Sequence, residues 1–320
     1  MRISFGTRIK SDKIHQHNGY GYATKCMLES LQRLGYHVED NDSTADVEIW
    51  FDQPQHWDFN PNSYKIGYHP WESTLLLDGW AEIMNECDEI WTPSPIIANW
   101  YRKYNGITVP IYVYEHGIEH DWTPVQREVE GNMKFLHIGA EAARKGGWTS
   151  MRLFKQAMVE KNDVELTLKM INSEWNGVKK LGKTNFINER YDFDQLQQLF
   201  YDHHVYIYPS WGEGFGLTPL QAMASGMPTI TVPGWAPYKR FIDPNLAVES
   251  ELAASTWKKI HPGKMLRPKF DSVISAVQYA YENYDEVSDF AMKQAPQIHA
   301  EYDWDTITKR VFSDLEKRLK

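Results

Sequence analysis

The sequence predicts an α/β protein with two doubly wound domains, each built on a parallel sheet. Short apolar strands alternate with amphipathic helices in both halves, and the length of 320 residues suits two domains of ordinary size. Between the halves, residues 120–132 are polar, contain Pro124 and lack periodicity, as expected of an interdomain linker. This alternation implies parallel strands with right-handed crossovers, and in such sheets ligands bind at the carboxyl ends of the strands.

The first half begins with a predicted strand at residues 2–5 and a loop at residues 17–22 that contains two glycines. A helix is predicted at residues 23–34, because its apolar residues recur every three or four positions and Gly35 follows it. Ser94 is a suitable N-cap for a later helix that begins with proline. The other predicted elements of this half are strands at residues 46–51, 64–68, 89–92 and 111–114 and helices at residues 75–87 and 95–104.

The second half repeats the alternation. Strands are predicted at residues 134–138, 164–170, 205–208 and 229–232, and helices at residues 194–202, 270–283 and 304–319. Asp192 or Asp194 is predicted to cap the first of these helices. The last helix carries apolar residues along one face, as a helix packed on a domain does.

The segment from Glu213 to Gly226 is the most informative part of the sequence. It follows an apolar strand and predicts a short helix, with Thr218 as N-cap, Pro219 at the first helical position and Gln221 completing a capping box. A helix N-terminus offers free N–H groups and positive potential to a phosphate. Glu213, one short loop away, is placed to accept hydrogen bonds from sugar hydroxyls. A phosphate cradle beside a carboxylate indicates a nucleotide-sugar site.

This segment resembles the Glu-x7-Glu signature of family-4 (group 1) glycosyltransferases, which are retaining enzymes of the GT-B fold. The spacing from Glu213 and the Gly-Phe-Gly-Leu core agree with the signature, but the second acid is replaced by Gln221. In the family that acid holds the ribose hydroxyls of the donor, and an amide can still hydrogen-bond to them without a charge. The resemblance makes Glu213 catalytic and implies a donor-binding set here of Gly214, Phe215, Gly216, Leu217, Thr218 and Gln221.

Two further loops resemble donor-binding loops of the family. Residues 138–147 resemble its Gly-Arg-Leu-x-x-x-Lys-Gly loop, in which Lys145 falls on the lysine position that neutralises the donor diphosphate. Ala140 occupies the arginine position, and whether Arg144 compensates for it is left open. Gly19 and Gly21 occupy the place of the glycine loop that faces the donor phosphates in the first domain.

The end of the predicted strand at residues 64–68 carries the acceptor-side candidates. Family members have a His or a Trp-Glu pair at this place, which here corresponds to His69, Trp71 and Glu72. The resemblance implies that His69 is catalytic, binding the transferred sugar or guiding the acceptor hydroxyl, and that Trp71 and Glu72 lie on the acceptor side.

Composition narrows the remaining choices. Acidic residues outnumber basic ones, 43 against 34, and the net charge of −9 argues against a general nucleic-acid binder or a protein held on anionic lipid. Two cysteines and the absence of a signal or membrane-spanning pattern predict a cytoplasmic protein without disulfides. No metal-ligand spacing occurs, so we expect no metal requirement.

Together these observations predict a hexosyl- or pentosyltransferase that uses a nucleoside-diphosphate sugar, expected to be UDP-linked, and a hydroxyl of a glycan or glycoconjugate. The predicted domains are an acceptor-side Rossmann-like domain at residues 1–125, a donor domain at residues 126–300 and a C-terminal helix, residues 301–320, that crosses back to the first domain. One alternative is a bacteriophage enzyme that glycosylates a hydroxylated base in DNA. Another is a catalytically silent nucleotide-sugar binding module, suggested by Ala140 and Gln221 and opposed by Glu213 and Lys145.

Overall fold

The computed structural model describes residues 2–6, 19–40, 44–139, 142–171 and 177–320. The predictions made for His17, Asn18 and Ala140 therefore lie outside the described residues. The chain divides into two compact units. The first comprises Met1–Glu119, Ala254–Lys264 and Glu301–Lys320, and the second comprises His120–Ala253 and Met265–Ala300.

The first unit contains a six-stranded sheet with the order β2-β1-β3-β4-β5-β6, in which every pairing is parallel. The strands are β1 (Ile3–Gly6), β2 (Val38–Asp40), β3 (Val47–Phe51), β4 (Tyr64–Tyr68), β5 (Glu89–Thr92) and β6 (Ile111–Val113), and the helices between them are α1 (Gly19–Arg33), α2 (Trp80–Asn85) and α3 (Pro95–Tyr104). The predicted doubly wound first domain is confirmed, and β4, β5 and α3 have the predicted bounds.

Two helices of this unit differ from the prediction. The structure begins α1 at Gly19, so Gly19 and Gly21 lie in its first turns and not in a loop before it. Burial of the apolar face outweighs the poor helix propensity of glycine. The helix predicted at residues 75–87 is shorter, because Gly79 adopts φ 82° immediately before α2. Cys87 is buried beyond the end of this helix.

The second unit contains another six-stranded sheet with the order β12-β11-β7-β8-β10-β9, in which only β9 is antiparallel to its neighbour. Its strands are β7 (Met133–Gly139), β8 (Val164–Met170), β9 (Lys180–Leu181), β10 (Thr184–Ile187), β11 (Val205–Tyr208) and β12 (Thr229–Thr231). Its helices are α4 (Ala142–Lys145), α5 (Gly147–Ala157), α6 (Phe193–Tyr201), α7 (Leu217–Ala224), α8 (Phe270–Glu282) and α9 (Tyr284–Tyr302). The last two residues of α9 belong to the first unit. A two-stranded ribbon, β13 (Ser250–Ala254) and β14 (Lys264–Pro268), precedes α8. A parallel sheet covered on both faces is apolar throughout, and β11 is buried at all four positions as predicted.

The segment after residue 119 is hydrogen-bonded to two helices of the second unit by a buried arginine. Arg127 donates to the carbonyl of Phe200 at the end of α6 and to the carbonyl and hydroxyl of Ser225 at the end of α7. Unpaired carbonyls and the negative end of the helix dipole lie at a helix C-terminus, where a cation is favourable. Arg127 therefore ties the C-termini of α6 and α7 together.

The C-terminal helix α10 (Trp304–Arg318) belongs to the first unit and contacts α1, as predicted. Asp303 caps it by accepting from the N–H groups of Asp305 and Thr306. At the far end, Arg318 forms a bidentate pair with the buried carboxylate of Glu89 on β5. No helix within the described ranges is both long and apolar enough to cross a membrane.

Candidate active site

The loop between β11 and α7 places Glu213 in a buried position at the carboxyl edge of the second sheet. Its side chain is 7% exposed. Oε1 accepts from the Tyr208 hydroxyl at 2.9 Å and from Ser210 Oγ at 2.8 Å. Tyr208 is the last residue of β11, so the strand itself fixes one of the donors to the carboxylate.

Two cations from the β7–α5 region face the same carboxylate. Lys145 Nζ lies 3.3 Å from Oε2, and Arg144 Nη1 lies 3.3 Å from Oε1 and also donates to the Gly212 carbonyl. Burial alone would raise the pKa of Glu213, but the charges of Lys145 and Arg144 outweigh it and hold the pKa below its ordinary value. The structure thus joins Glu213 with Lys145 and Arg144, which lie 68 or more residues away in sequence. Arg144 is buried against the Glu213 loop, whereas Lys145 is 24% exposed and reachable.

The start of α7 differs from the predicted capping box. Gly216 is the N-cap, with φ 84° and no side-chain cap, so Thr218 already lies within the helix. The Thr218 hydroxyl accepts from Tyr206 at 2.9 Å, and Gln221 is buried in the body of the helix. The capping-box prediction is wrong because glycine reaches the left-handed conformation that ends the preceding loop two residues earlier. The first N–H groups of α7 still follow Glu213 directly in the chain.

Two aromatic residues that the sequence did not identify as part of the site support this loop. Trp235 Nε1 donates to the Ser210 carbonyl at 3.1 Å, and the Tyr238 hydroxyl donates to the Gly216 carbonyl at 2.6 Å. The Tyr238 ring also meets Phe215 edge-on, with centroids 5.4 Å apart. These contacts fix both ends of the segment that carries Glu213.

His137, on β7, is a second residue that the sequence did not indicate. Its Nδ1 lies 2.8 Å from the Ile207 carbonyl, which can only accept, so Nδ1 carries the proton and Nε2 is an acceptor. Nε2 has no partner among the described residues, and burial lowers the pKa of His137 to about 4. The ring stacks on Tyr208 with centroids 5.5 Å apart, so a neutral imidazole supports the tyrosine that donates to Glu213.

The acceptor-side candidates lie in the first unit. His69 is fully buried, its Nδ1 is 2.7 Å from the Tyr101 hydroxyl, and burial lowers its pKa to about 3. Trp71 is also buried, and its ring packs 5.4 Å from that of His69. Glu72 is 20% exposed and lies 3.6 Å from Nδ1 of His261, in the segment Ala254–Lys264. Nε2 of His69 is buried without a hydrogen-bond partner among the described residues, and the predicted catalytic role of His69 requires that the ring become accessible.

Gly19 and Gly21 sit at the N-terminal turn of α1, where Gly19 is exposed and Gly21 is buried. Across the ranges that the structure describes, no three His, Cys, Asp or Glu side chains are grouped to hold a metal ion.

Comparison with known proteins identifies a family that matches part of the chain. Residues 133–249 match the family described as glycosyl transferases group 1, and this range contains Lys145, Glu213 and Gln221. No curated protein sequence is significantly similar to the chain.

Solved structures show the same fold at low sequence identity. Sucrose-phosphate synthase from Thermosynechococcus elongatus matches with a TM-score of 0.72 at 14% identity, over 99% of this chain and 98% of that one. WaaG, a glycosyltransferase involved in lipopolysaccharide biosynthesis, matches with a TM-score of 0.67 at 13% identity, over 97% and 98%. TarM from S. aureus, in a complex that includes UDP, matches with a TM-score of 0.63 at 13% identity, over 91% of this chain and 58% of TarM.

Proposed function

We propose that the chain, whose residues 133–249 match the group 1 glycosyl transferases and whose fold is GT-B, is a nucleotide-sugar-dependent glycosyltransferase. In this proposal it moves a hexose or pentose from a UDP-linked donor, with retention of configuration, to a hydroxyl of a glycan or glycoconjugate in the cytoplasm. The observation that carries the proposal is the pairing of Glu213 with Lys145 beside the N-terminus of α7.

Each group in this arrangement has a part in the proposed reaction. Negative charge develops on the nucleoside diphosphate as the glycosidic bond breaks, and Lys145 and the N–H groups at the start of α7 stabilise it. Among the described residues, Oε1 of Glu213 has three donors and Oε2 has only Lys145. Oε2 therefore has the capacity to accept a hydrogen bond from a hydroxyl of the transferred sugar, which would fix the orientation of that sugar. Gln221 is proposed to bind the donor ribose.

The experiment is a donor screen followed by a turnover assay. A UDP-sugar that binds should raise the melting temperature, because ligand at a hundred times its Kd adds about 2.7 kcal/mol of stability. Release of UDP should then depend on an added acceptor, with simple glycans tested beside DNA that contains a hydroxylated base. Release with the DNA alone would move the proposal to that acceptor. Binding without release under any acceptor would indicate a silent binding module, and no binding of any nucleotide sugar would contradict the proposal.

A further inference from the structure

Lys169 is a buried lysine at the carboxyl end of β8, in the same sheet as the Glu213 site. β8 lies between β7 and β10, and Lys169 is in register with Ile138 on one side and Ile187 on the other. β7 precedes α4, which ends at Lys145. The strand that carries Lys169 is therefore the neighbour of the strand before Lys145, and Lys169 lies at the edge where ligands of doubly wound sheets bind. The sequence pattern gave no sign of it, because the strand was predicted from its apolar neighbours.

Among the described residues, the ammonium group of Lys169 forms no ion pair. Nζ donates to the Glu189 carbonyl at 2.9 Å and lies 4.7 Å from the centre of the Tyr191 ring. Within the described parts of the chain no carboxylate oxygen lies within ion-pair distance of it. An ammonium has three donors, and the described residues use one of them.

Such a position is unfavourable for stability. Lys169 is only 9% exposed, and burying an ammonium without a paired anion costs more than burying an apolar side chain of similar size. Burial lowers the pKa of Lys169, and the charge of Glu189 opposes this only in part. The contacts made by the described residues thus compensate the charge only in part, whereas an electron-rich ligand at this edge would compensate it further.

We propose that Lys169 is a donor-binding residue that contacts an oxygen of the nucleoside-diphosphate part of the nucleotide sugar. The proposal rests on the proposed function, since it concerns the donor of the same enzyme. Two parts of that ligand offer suitable oxygens, the phosphoryl groups and the carbonyls of the base. Lys169 holds its ammonium group ready through the Glu189 carbonyl and the Tyr191 ring, so little side-chain entropy is lost on binding.

The test compares two lysines of the same sheet. Lys183 also donates to backbone carbonyls, those of Met158 and Lys161, but it precedes the amino end of β10 and so lies at the opposite edge. Lys169→Met and Lys183→Met therefore each remove one positive charge, from opposite edges of the same sheet. Titration calorimetry on the wild type would first compare UDP, GDP, ADP and CDP to select the base. For a uracil-selective enzyme, the Kd of UDP, UMP and uridine would then be measured for the wild type and the variants.

We expect Lys169→Met to raise the Kd of the nucleoside diphosphate at least tenfold and Lys183→Met to change it by less than twofold. Weaker binding of the diphosphate and the monophosphate, with unchanged binding of the nucleoside, assigns the contact to phosphate. Equally weaker binding of all three assigns it to the base. The melting temperature of Lys169→Met should not fall, because an unpaired buried charge has been removed. Lys169→Gln, which keeps a donor for the Glu189 carbonyl, gives the same comparison if the methionine variant does not fold.

Unchanged affinity in both Lys169 variants, with a wild type that binds nucleotide, would overturn this inference and leave the proposed function intact. Failure of the wild type to bind any nucleoside diphosphate would overturn both.

Discussion

Glu213 receives hydrogen bonds from four side chains before any ligand is present. In the proposed reaction, the donors to Oε1 therefore need little reorganisation, which is how oriented polar groups lower a barrier in a buried site. In the proposed reaction, a donor diphosphate draws Lys145 partly away from the carboxylate. Lys145, which is the more exposed of the two cations, is free to do this, while Arg144 stays with the loop.

Lys145→Ala should lower kcat by about 10²–10³-fold and raise KM much less, because the charge of the leaving group is greatest in the transition state. Steady-state kinetics of UDP release would measure both parameters. Lys155→Ala, an exposed lysine on α5, is the control and should change neither. An unchanged kcat at saturating donor would remove Lys145 from the site.

Glu213→Gln should lower transfer by roughly a hundredfold or more and should also cost stability, since it leaves Arg144 and Lys145 without their buried anion. The pKa of Glu213 is depressed in the fold, so its stabilisation is present above the unfolded pKa of about 4.3 and is lost as pH falls through the folded value. The difference in melting temperature between wild type and variant should therefore be largest near neutral pH and shrink below about pH 4. A variant that melts lower yet keeps its specific activity would make Glu213 structural.

At this scale the sequence identified residues that belong to motifs and missed those that do not. Glu213 and Lys145 were found because each stands at a fixed place in a recognisable loop, and the structure brings them together. Tyr208 and His137 were missed because strand side chains carry no spacing signal, and only the parallel pairing of β7 with β11 places them side by side.

Among the elements, α7 is the one whose placement decides the site. Its N-terminus follows Glu213, its C-terminus is bonded by Arg127, and His299 lies 2.9 Å from the Ala224 carbonyl. The turn before it depends on Gly216, where a Cβ would lie 2.5 Å from the Tyr238 hydroxyl and 2.6 Å from the Trp235 ring.

Gly216→Ala should destabilise the second unit by more than the strain of the left-handed conformation alone, which is about 1–2 kcal/mol. Gly131→Ala is the matched control, since Gly131 has φ 80° and nothing within 4 Å of the position of a Cβ. The gap between the two melting temperatures measures the steric contribution. Equal losses of melting temperature in the two variants would show that Trp235 and Tyr238 move aside without a loss of stability.

Elements with strong periodicity were predicted with their bounds, including β8, β11 and α3. The start of α1 was not, because two glycines suggest a loop, and the buried apolar face that favours a helix here is visible only in the fold. α5 was missed altogether, since it starts with glycine next to another short helix and its pattern is visible only once the sheet it packs on is known.

For the whole molecule, the first unit is completed by two segments distant in sequence, Ala254–Lys264 and Glu301–Lys320. Arg318 joins the second of these to β5, through Glu89, which is 1% exposed and also accepts from Trp91 and Tyr64.

Arg318→Ala should destabilise the first unit by about 3–5 kcal/mol, because it leaves the Glu89 carboxylate buried without its cation. Arg310→Ala, on the same helix, breaks a pair with Glu115 in which the arginine is 48% exposed, and should cost only about 0–1 kcal/mol. Hydrogen exchange of amides in α10 and β5 would report the difference locally. Similar protection in the two variants would contradict the importance of the buried pair.

The division of the chain at residues 119, 254–264 and 301 has a consequence for biosynthesis. A ribosome makes the polypeptide from its N-terminus, yet the first unit is not complete until α10 has emerged, after every residue of the second. The second unit, at His120–Ala253 and Met265–Ala300, should therefore acquire protease resistance earlier than the unit that precedes it. Chains truncated near residue 125 should expose β5 to chymotrypsin, which cleaves after Trp91, and should recruit chaperones, because Glu89 and the sheet around it lack the helix that covers them.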